Sequence, residues 1–376
     1  MRRQAAVTEK ELARRLHLRL WAWFRTTYSG FTHAQLLCVP AILQRQSILL
    51  TSPTGSGKTL AGFLGVFDAV LRKLDAGTLG ACVQCIYISP LRALAYDIEK
   101  NVRVPIAGMG LEKKLRLHLR TGDTPAAQRV KFREHPAHFL ITTPESLAVM
   151  LAQERFASHF AECEFVIVDE LHSFAGNKRG ADLTLSLERL ERLREGRDGA
   201  LRRPRTSQRD VPTICRVGLS ATAAPLDLLA RFLAGEGREC RIAEARVEKK
   251  SLVEVFSPIR RKPYPPAGYT GVRLYAELAE LIRTRQSVLV FTNVRSAAEQ
   301  VGLHLKELLP DLASQIEIHH ASLDRSVRLE VEDRLKNGEL RAVVCSTSLE
   351  MGIDIGAVDL VVMVATPKGV SRAILG

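Results

Sequence analysis

The chain has 376 residues, of which 46% are hydrophobic and 25% are charged, the proportions of an ordinary globular protein with enough apolar residues for two cores. Lys and Arg outnumber Asp and Glu by 54 to 41, a net charge of +13, which favours a polyanionic partner; general solubility is the alternative explanation. No apolar run approaches the roughly 20 residues that cross a bilayer, and the charged amino terminus lacks an apolar signal core. The composition therefore excludes a helical membrane protein, and we expect a cytoplasmic one.

Seven cysteines are scattered along the chain, several of them in apolar runs that predict buried strands. Such cysteines are typical of reduced thiols in a cytosol. Cys82 and Cys85 form a CxxC pair, but no second pair stands at the spacing of a zinc site. On one strand their side chains would point to opposite faces, so we expect no metal there.

The chain begins with helical patterns. Residues 8–27 predict one amphipathic helix that starts with a Thr8–Glu11 capping box, and 33–44 predict a second. Strand and helix then alternate, which is typical of parallel strands joined by crossovers in a doubly wound α/β sheet. The predicted strands are 48–51, 83–88, 115–120, 138–142, 164–169 and 213–219. The predicted helices between them are 58–74, 91–103, 125–134, 145–152 and 179–195, and the aperiodic, arginine-rich residues 196–212 predict a loop.

A second α/β domain follows. Residues 257–271 are rich in proline and glycine and predict a linker between domains. The alternation then restarts, with predicted helices at 272–284, 295–308, 324–336 and near 348–351, and predicted strands at 287–291, 315–319, 341–345 and 358–364. We therefore divide the chain into an amino-terminal helix (1–27), a first domain (28–256), the linker and a second domain (272–376).

The segment ILLTSPTGSGKT predicts a phosphate-binding P-loop between a strand and a helix. Its glycines allow a sharp turn whose N–H groups point at phosphate oxygens, Lys58 contacts the β- and γ-phosphates, and the Thr59 hydroxyl reaches Mg²⁺. The strict pattern has glycine at position 52, where this chain has serine. The predicted nucleotide-binding residues are Ser52, Pro53, Thr54, Gly55, Ser56, Gly57, Lys58 and Thr59.

An acidic pair follows the predicted strand 164–169. The carboxyl edge of a parallel strand is where ligands bind in such sheets. There Asp169 can hold Mg²⁺ and Glu170 can orient the attacking water. We expect His172 to couple the nucleotide site to neighbouring segments, the alternative being a structural histidine on a turn.

This combination resembles the superfamily 2 DExH-box helicases, and the resemblance implies two tandem RecA-like domains that bind ATP. The segment from Tyr28 to Gln35 resembles the helicase segment whose glutamine reads adenine, so Tyr28 and Gln35 are candidate adenine contacts. Ser220-Ala221-Thr222 resembles motif III, which gives Ser220 and Thr222 a coupling role. In the motif V segment 346–354, Gly352 and Asp354 would face the nucleotide.

The same resemblance predicts contacts to nucleic acid. SPLRAL (89–94) resembles motif Ia, TTPESL (142–147) resembles motif Ib, and RTGD (120–123) lies between them. VFTNVRS (290–296) resembles motif IV. Residues at such positions can bind phosphates through backbone N–H groups and hydroxyls. The candidate contacts are Pro90, Arg92, Arg120, Thr121, Gly122, Thr143, Pro144, Asn293, Arg295 and Thr347.

Several stretches are more particular, among them RTGDT, VIVDELHSFAGNKRG, HHASLDR, SLEMGIDIGAVDLVV and TPKGVSR. They resemble the Lhr (large helicase-related) family of DNA helicases over essentially the whole chain. The family implies ATP-driven 3′-to-5′ movement on single-stranded DNA, unwinding of duplexes including DNA/RNA hybrids, and a link to DNA repair. In the family TPKGVSR leads into the motif VI arginines, and this sequence ends at Gly376 short of them, so we expect the second domain to be incomplete.

Three functions are therefore open. The leading hypothesis is an ATP-dependent helicase core with ATP and Mg²⁺ as cofactors and single-stranded DNA or a DNA/RNA hybrid as partner. The alternative is a fragment that binds ATP and nucleic acid without efficient turnover, because arginines of the motif VI type stabilise developing charge in related NTPases. A P-loop enzyme that acts on another substrate would leave the four nucleic-acid motifs unexplained.

Overall fold

The computed structural model describes residues 2–53, 55–199, 214–221, 225–245, 253–255, 269–320, 322–346 and 358–364. The chain divides into two compact units, residues 1–247 and 248–376. Most of the predicted linker lies outside the described residues, and the first helix of the second unit begins at Tyr269.

The first unit contains one parallel sheet. The described strands are β1 (Arg2–Arg3), β2 (Ile48–Thr51), β3 (Cys85–Ile88), β4 (Leu117–Arg120), β5 (Phe139–Thr142), β6 (Phe165–Val168), β7 (Cys215–Ser220) and β8 (Arg241–Glu244). Their order across the sheet is β1-β8-β2-β7-β6-β3-β5-β4, and every neighbouring pair is parallel. Strands β2, β3, β5, β6 and β7 are buried along their whole length, as expected of a sheet covered on both faces.

Helices connect these strands and cover both faces, so that two apolar clusters flank the sheet. The described helices are α1 (Glu9–Arg15), α2 (Leu18–Thr27), α3 (His33–Leu43), α4 (Lys58–Asp75), α5 (Arg92–Gly108), α6 (Ala126–Glu134), α7 (Pro144–Leu151), α8 (Ala157–Phe160), α9 (Lys178–Gly199) and α10 (Leu226–Ala234). Short 3-10 turns occupy Glu154–Phe156 and Leu171–Ser173.

The second unit repeats the architecture on a smaller scale. Its described elements are α11 (Tyr269–Thr284), β9 (Val288–Thr292), α12 (Arg295–Leu308), a 3-10 turn (Ala313–Gln315), β10 (Ile316–His319), α13 (Arg325–Lys336), β11 (Ala342–Cys345) and β12 (Leu360–Val364). The strand order is β10-β11-β9-β12, again parallel throughout. The predicted fold class, two parallel α/β domains with the second smaller, is confirmed.

The sheet order brings distant parts of the sequence to one edge. Strand β7 lies between β2 and β6, with Thr51 paired to Ser220 and Val168 paired to Gly218. In a parallel sheet the carboxyl ends of neighbouring strands lie side by side. The P-loop after β2, the acidic pair after β6 and the end of β7 therefore meet at the same edge.

The predicted helix 8–27 is divided in two. The Leu16 backbone is extended between α1 and α2, and the His17 N–H donates a 2.6 Å hydrogen bond to Asp68 Oδ1 of α4. The His17 ring also accepts a hydrogen bond from the Arg19 N–H, which caps α2. The apolar period continues through this break, so the pattern alone predicted one helix, whereas a contact with α4 divides it. The Thr8 side chain does accept the Glu11 N–H as predicted.

Other differences are local. Helix α9 continues to Gly199, so the loop prediction for 196–212 was wrong over its first four residues; residues 200–212 lie outside the described part. Helix α10 and strand β8 were not predicted, and β8 is only four residues long with arginine and glutamate at its ends. All seven cysteines are buried free thiols, and Cys82 precedes β3 rather than lying within it. Among the described residues, no helix has both the length and the apolarity needed to cross a bilayer.

Candidate nucleotide and nucleic acid site

The P-loop turns from β2 into α4 through two residues in the left-handed region, Gly55 (φ 72°) and Gly57 (φ 79°). Glycine adopts this backbone without steric cost, which explains both positions. The Ser52 N–H donates to Ser220 O at 3.1 Å, so the start of the loop is fixed to the end of β7. Ser56 Oγ donates to Pro53 O at 2.7 Å, and Ser52 and Ser56 also hydrogen-bond to each other through their hydroxyls. The loop at these residues is thus held by its own contacts.

Lys58 begins α4, and its Nζ donates to Ser52 O at 2.7 Å. The side chain is buried with the residue 8% exposed, and desolvation lowers its pKa despite the opposing influence of Glu170 and Asp169. A buried ammonium gains most from a close anion. The start of a helix adds N–H groups that favour the same charge. The P-loop residues therefore fit a nucleotide phosphate chain.

Gln35 lies beside the P-loop. It belongs to the capping box of α3, in which its Oε1 accepts the Thr32 N–H at 3.0 Å. A Cβ built on Gly57 would lie 3.0 Å from Gln35 Nε2, so the amide group and the P-loop backbone are in close approach. Tyr28 is 41% exposed and packs against Phe24 with the ring centroids 5.0 Å apart. Tyr28 directly follows α2, and Gln35 lies in the first turn of α3, so both candidate residues are near the start of α3. That they contact adenine stays a prediction.

Asp169 is buried immediately after β6. Its carboxylate accepts hydrogen bonds from the Tyr87 hydroxyl and, at 2.9 Å, from the Glu170 N–H. The Tyr87 hydroxyl also hydrogen-bonds the Thr59 side chain, so one buried tyrosine on β3 contacts both predicted Mg²⁺ ligands. Burial, with the nearby Glu170 charge, raises the pKa of Asp169 to about 6. Buried carboxylates in this condition are stabilised by a divalent cation, so Asp169 and Thr59 fit Mg²⁺.

Glu170 has a left-handed backbone (φ 45°), which is uncommon for a residue other than glycine. It is 6% exposed, and burial raises its pKa, although Lys58 and a hydrogen bond from the Ala221 N–H oppose the rise. Its Oε2 lies 3.5 Å from His172 Nδ1. A buried carboxylate with a raised pKa suits the predicted role of orienting a water.

His172 and Ser220 are in direct contact. His172 Nδ1 lies 3.0 Å from Ser220 Oγ, and Ser220 O accepts the Ser52 N–H. Desolvation lowers the pKa of His172, with a further contribution from Lys58. A short chain of contacts thus joins the acidic pair, the end of β7 and the P-loop, which is the arrangement that the coupling prediction for His172 and Ser220 requires.

The predicted nucleic-acid residues of the first unit lie at or after the carboxyl ends of β3, β4 and β5, which are adjacent in the sheet. The Ser89 N–H donates to Thr142 O at 2.9 Å, and Thr142 Oγ1 donates to Arg120 O at 2.6 Å. Thr143 occupies the N-cap position of α7, without a capping hydrogen bond from its side chain, and the first residue of the helix is Pro144. The structure therefore brings together the segments that contain Pro90, Arg120, Thr121, Gly122, Thr143 and Pro144.

Some of these groups have no partner within the described part of the chain. There, Arg120 Nη1 and Thr121 Oγ1 are buried without a hydrogen bond. The loop between them and α6 is held by Arg129, which donates to Gly122 O and Thr124 O, both at 2.6 Å. An unpaired guanidinium nitrogen and hydroxyl beside a fixed loop could bind phosphate oxygens.

The second unit places Asn293 directly after β9 and Arg295 at the start of α12. Arg295 donates a hydrogen bond to Ser322 Oγ. The adjacent histidines pair separately, His319 with Glu332 and His320 with Glu299, each at 3.0 Å. Thr54, Thr222, Thr347, Gly352 and Asp354 lie outside the described residues, and the Arg92 side chain is likewise not described, although Arg92 begins α5.

Among the described residues, Tyr87, Arg129 and Arg179 also contact the site through their side chains and were not selected from the sequence. Tyr87 is a hydroxyl-bearing residue within an otherwise apolar strand, which was an available signal. Arg129 and Arg179 are two of many arginines on helices, and only their tertiary contacts distinguish them.

Two family descriptions match the chain. The description "DEAD/DEAH box helicase" matches residues 32–229, and "Helicase conserved C-terminal domain" matches residues 273–374.

Similar proteins carry helicase names. The chain is 42% identical over 380 residues to ATP-dependent helicase Lhr-Core of Methanothermobacter thermautotrophicus, a match that covers 98% of this chain and 42% of the relative. It is 34% identical to the Lhr helicase/uracil glycosylase of Escherichia coli, over 94% of this chain and 25% of the relative. The structure of Mycobacterium smegmatis helicase Lhr bound to single-stranded DNA and AMP-PNP superposes with a TM-score of 0.79 and 35% identity, over 96% of this chain and 45% of that one. The chain therefore spans less than half the length of these proteins.

Proposed function

The chain belongs to the DEAD/DEAH box helicase family, and we propose that it is the ATP- and DNA-binding core of an Lhr-type helicase, one that hydrolyses ATP to move on single-stranded DNA. The observation that carries the proposal is the meeting of Lys58, Asp169 and Glu170 at one sheet edge, with His172–Ser220–Ser52 contacts beside them. A nucleotide site of this composition, next to three adjacent strand ends that bear candidate phosphate contacts, fits a nucleic-acid-dependent ATPase better than a P-loop enzyme of another class.

Each residue has a separate task in this proposal. The P-loop N–H groups and Lys58 bind the phosphates, Thr59 and Asp169 hold Mg²⁺, and Glu170 orients the attacking water. Mg²⁺ supplies charge neutralisation for the phosphate oxygens when it is bound. Tyr87 keeps the Thr59 and Asp169 side chains together, and His172 keeps Glu170 close to the end of β7.

The finer predictions rest on the resemblance to the Lhr helicases. They are 3′-to-5′ movement, unwinding of DNA duplexes or DNA/RNA hybrids, and a role in DNA repair. Adenine recognition by Gln35 and the nucleotide contacts of Gly352 and Asp354 belong with them. A cytoplasmic location is a separate proposal that rests on the composition of the sequence.

ATP hydrolysis with and without single-stranded DNA tests the proposal. We expect turnover that single-stranded DNA stimulates, and we expect Lys58→Ala to abolish it, because the phosphates lose their buried cation. Lys113→Ala changes an exposed lysine of the same unit and is the matched control, with turnover unchanged.

Binding of ATP and DNA without turnover would instead support the alternative of a binding fragment. An unchanged rate in Lys58→Ala would remove the P-loop assignment. An ATP hydrolysis rate that DNA does not change, together with a lack of DNA binding, would favour a P-loop enzyme with another substrate.

A further inference from the structure

Arg179, at the start of α9, contacts three segments that are far apart in the sequence. Its Nη2 donates to Pro90 O at 2.8 Å, and its Nε donates to Glu145 Oε1 at 2.6 Å. Its guanidinium carbon lies 5.5 Å from the centroid of the Phe174 ring. Pro90 belongs to the motif Ia segment, Glu145 to the motif Ib segment, and Phe174 ends the 3-10 turn that follows the acidic pair.

The backbone around Arg179 is built for this close approach. A Cβ on Gly180 would lie 2.0 Å from Phe174 O, a distance that no side chain allows. Gly180 N–H also hydrogen-bonds the Asn177 side chain, which fixes the first turn of α9. Glycine at 180 thus lets α9 begin directly against the turn after the acidic pair. This places Arg179 in contact with the segments that follow β3 and β5.

The contacts continue to a predicted DNA contact. The Glu145 carboxylate accepts hydrogen bonds from Arg179 and from the Thr143 side chain, and together they hold the pKa of Glu145 below its usual value despite partial burial. Thr143 is a candidate phosphate contact at the start of α7. Arg179 is therefore linked through Glu145 to Thr143, a predicted DNA contact. It also contacts Phe174, at the end of the turn that follows Glu170.

Global stability is a poor explanation for this arrangement. The Arg179 and Glu145 side chains are 42% and 57% exposed, and exposed ion pairs contribute little to folding. The guanidinium nonetheless donates through two of its nitrogens, Nε and Nη2, and lies over an aromatic ring, a geometry that lysine cannot reproduce. The specific consequence of these contacts is the relative position of the three segments.

We propose that Arg179 is a positioning residue that couples the nucleotide site to the motif Ia and Ib segments, so that nucleotide binding and single-stranded DNA binding strengthen each other. This inference rests on the proposed function. A shift of the turn 171–174 caused by nucleotide at Asp169 and Glu170 is passed through Phe174 and Arg179 to Pro90 and Glu145. By linkage, DNA bound at those segments affects nucleotide affinity by the same factor.

The test measures the affinity of the full chain for a fluorescent oligo-dT strand, without and with saturating Mg–AMP-PNP. For the wild type we expect DNA binding at least about 5-fold tighter with nucleotide, within the usual range of such couplings. In Arg179→Met we expect this ratio to fall below about 2, with the affinity for Mg–AMP-PNP alone within about 2-fold of the wild type. Arg179→Lys retains the charge but not the fork, and we expect it to recover part of the ratio.

Controls separate coupling from damage. Arg189→Met removes an exposed arginine from the same helix and should leave the ratio unchanged. Glu145→Ala removes the partner and should lower the ratio as Arg179→Met does, without a further loss in the double variant.

The outcomes distinguish the two proposals. A full ratio in Arg179→Met, or a loss of nucleotide affinity in the absence of DNA, overturns the coupling role while the helicase assignment stands. A wild type that binds both ligands with a ratio near 1 also overturns it. A wild type that binds no DNA at all contradicts the proposed function itself.

Discussion

At the scale of single residues, the nucleotide site combines buried charged side chains with a strained backbone. Lys58, Asp169 and Glu170 are only 8%, 7% and 6% exposed, and Glu170 has a backbone that is strained for a non-glycine residue. Such a backbone costs roughly 1–2 kcal/mol, and it persists only where surrounding contacts hold it. Here the Ala221 N–H bonds the Glu170 side chain, and His172 lies within 3.5 Å. The surrounding contacts thus hold buried charges and a strained backbone in place where a charged ligand is expected to bind.

His118 allows a prediction about stability and pH. Burial and the nearby Arg120 and Lys131 lower its pKa to about 4, from 6.5. Because the folded chain resists protonation that the unfolded chain accepts below pH 6.5, stability should decrease as the pH falls from 6.5 towards 4. His118 also stacks on Phe132 with the ring centroids 4.5 Å apart, and its buried Nε2 has no hydrogen-bond partner among the residues that the structure describes. His118→Phe should therefore keep the stacking, leave stability at pH 7 unreduced and weaken the decrease.

Urea unfolding of both proteins at pH 7 and pH 5 checks this. His138 also has a pKa lowered to about 4, by burial and Arg116, so part of the decrease should remain in His118→Phe. An equal pH dependence in wild type and variant would contradict the prediction.

At the scale of elements, a buried ionic network joins α9, β7 and α10. Arg216 on β7 is 2% exposed and donates to Leu233 O, Ala234 O and the carboxylates of Glu188 and Glu191. Glu191 in turn accepts the Ile214 N–H at 3.2 Å. The network fixes β7, whose last residue is Ser220, and α9, whose first turn contains Arg179. It therefore supports the site from the opposite ends of these two elements.

We expect Arg216→Met to destabilise the first unit by about 3–5 kcal/mol, because it leaves the Glu191 carboxylate buried without its cation. Arg238→Met is the matched control. Arg238 pairs with the same Glu188, but at a site where both side chains are partly exposed, so we expect a loss of about 1 kcal/mol or less. Urea unfolding midpoints compare the two, and equal losses would show that burial of the charge is not the cause.

At the scale of the whole molecule, the apolar clusters explain the fold, and the positive net charge explains the expected association with a polyanion. Among the described residues, each unit has its own apolar clusters on the two faces of its own sheet. The net charge of +13 suits a polyanionic partner. Charge of this kind governs association with polyanions rather than the fold.

The affinity for single-stranded DNA should therefore fall with salt. Three predicted arginine contacts, Arg92, Arg120 and Arg295, correspond to a slope of about −2 in a plot of log affinity against log salt, at about 0.7 per phosphate. Arg120→Gln should make the slope about 0.7 shallower, whereas Arg103→Gln, which removes an exposed arginine paired with Glu99, should not. Anisotropy titrations at increasing KCl measure both, and an unchanged slope in Arg120→Gln would remove Arg120 from the contacts.

The sequence by itself determined the alternation of strands and helices, the P-loop and the acidic pair, because these depend on short-range patterns of apolar residues, glycines and charges. The strand β2, the start of α4 at Lys58 and the strand before Asp169 follow directly from them. Only the tertiary structure decided what depends on contacts between distant segments. Asp68 divides the amino-terminal helix at His17, Tyr87 joins Thr59 to Asp169, and Arg179 reaches Pro90 and Glu145. His17 and Asp68 are 51 positions apart, Tyr87 and Asp169 are 82 apart, and Arg179 is 34 from Glu145 and 89 from Pro90. No local pattern records such a pairing.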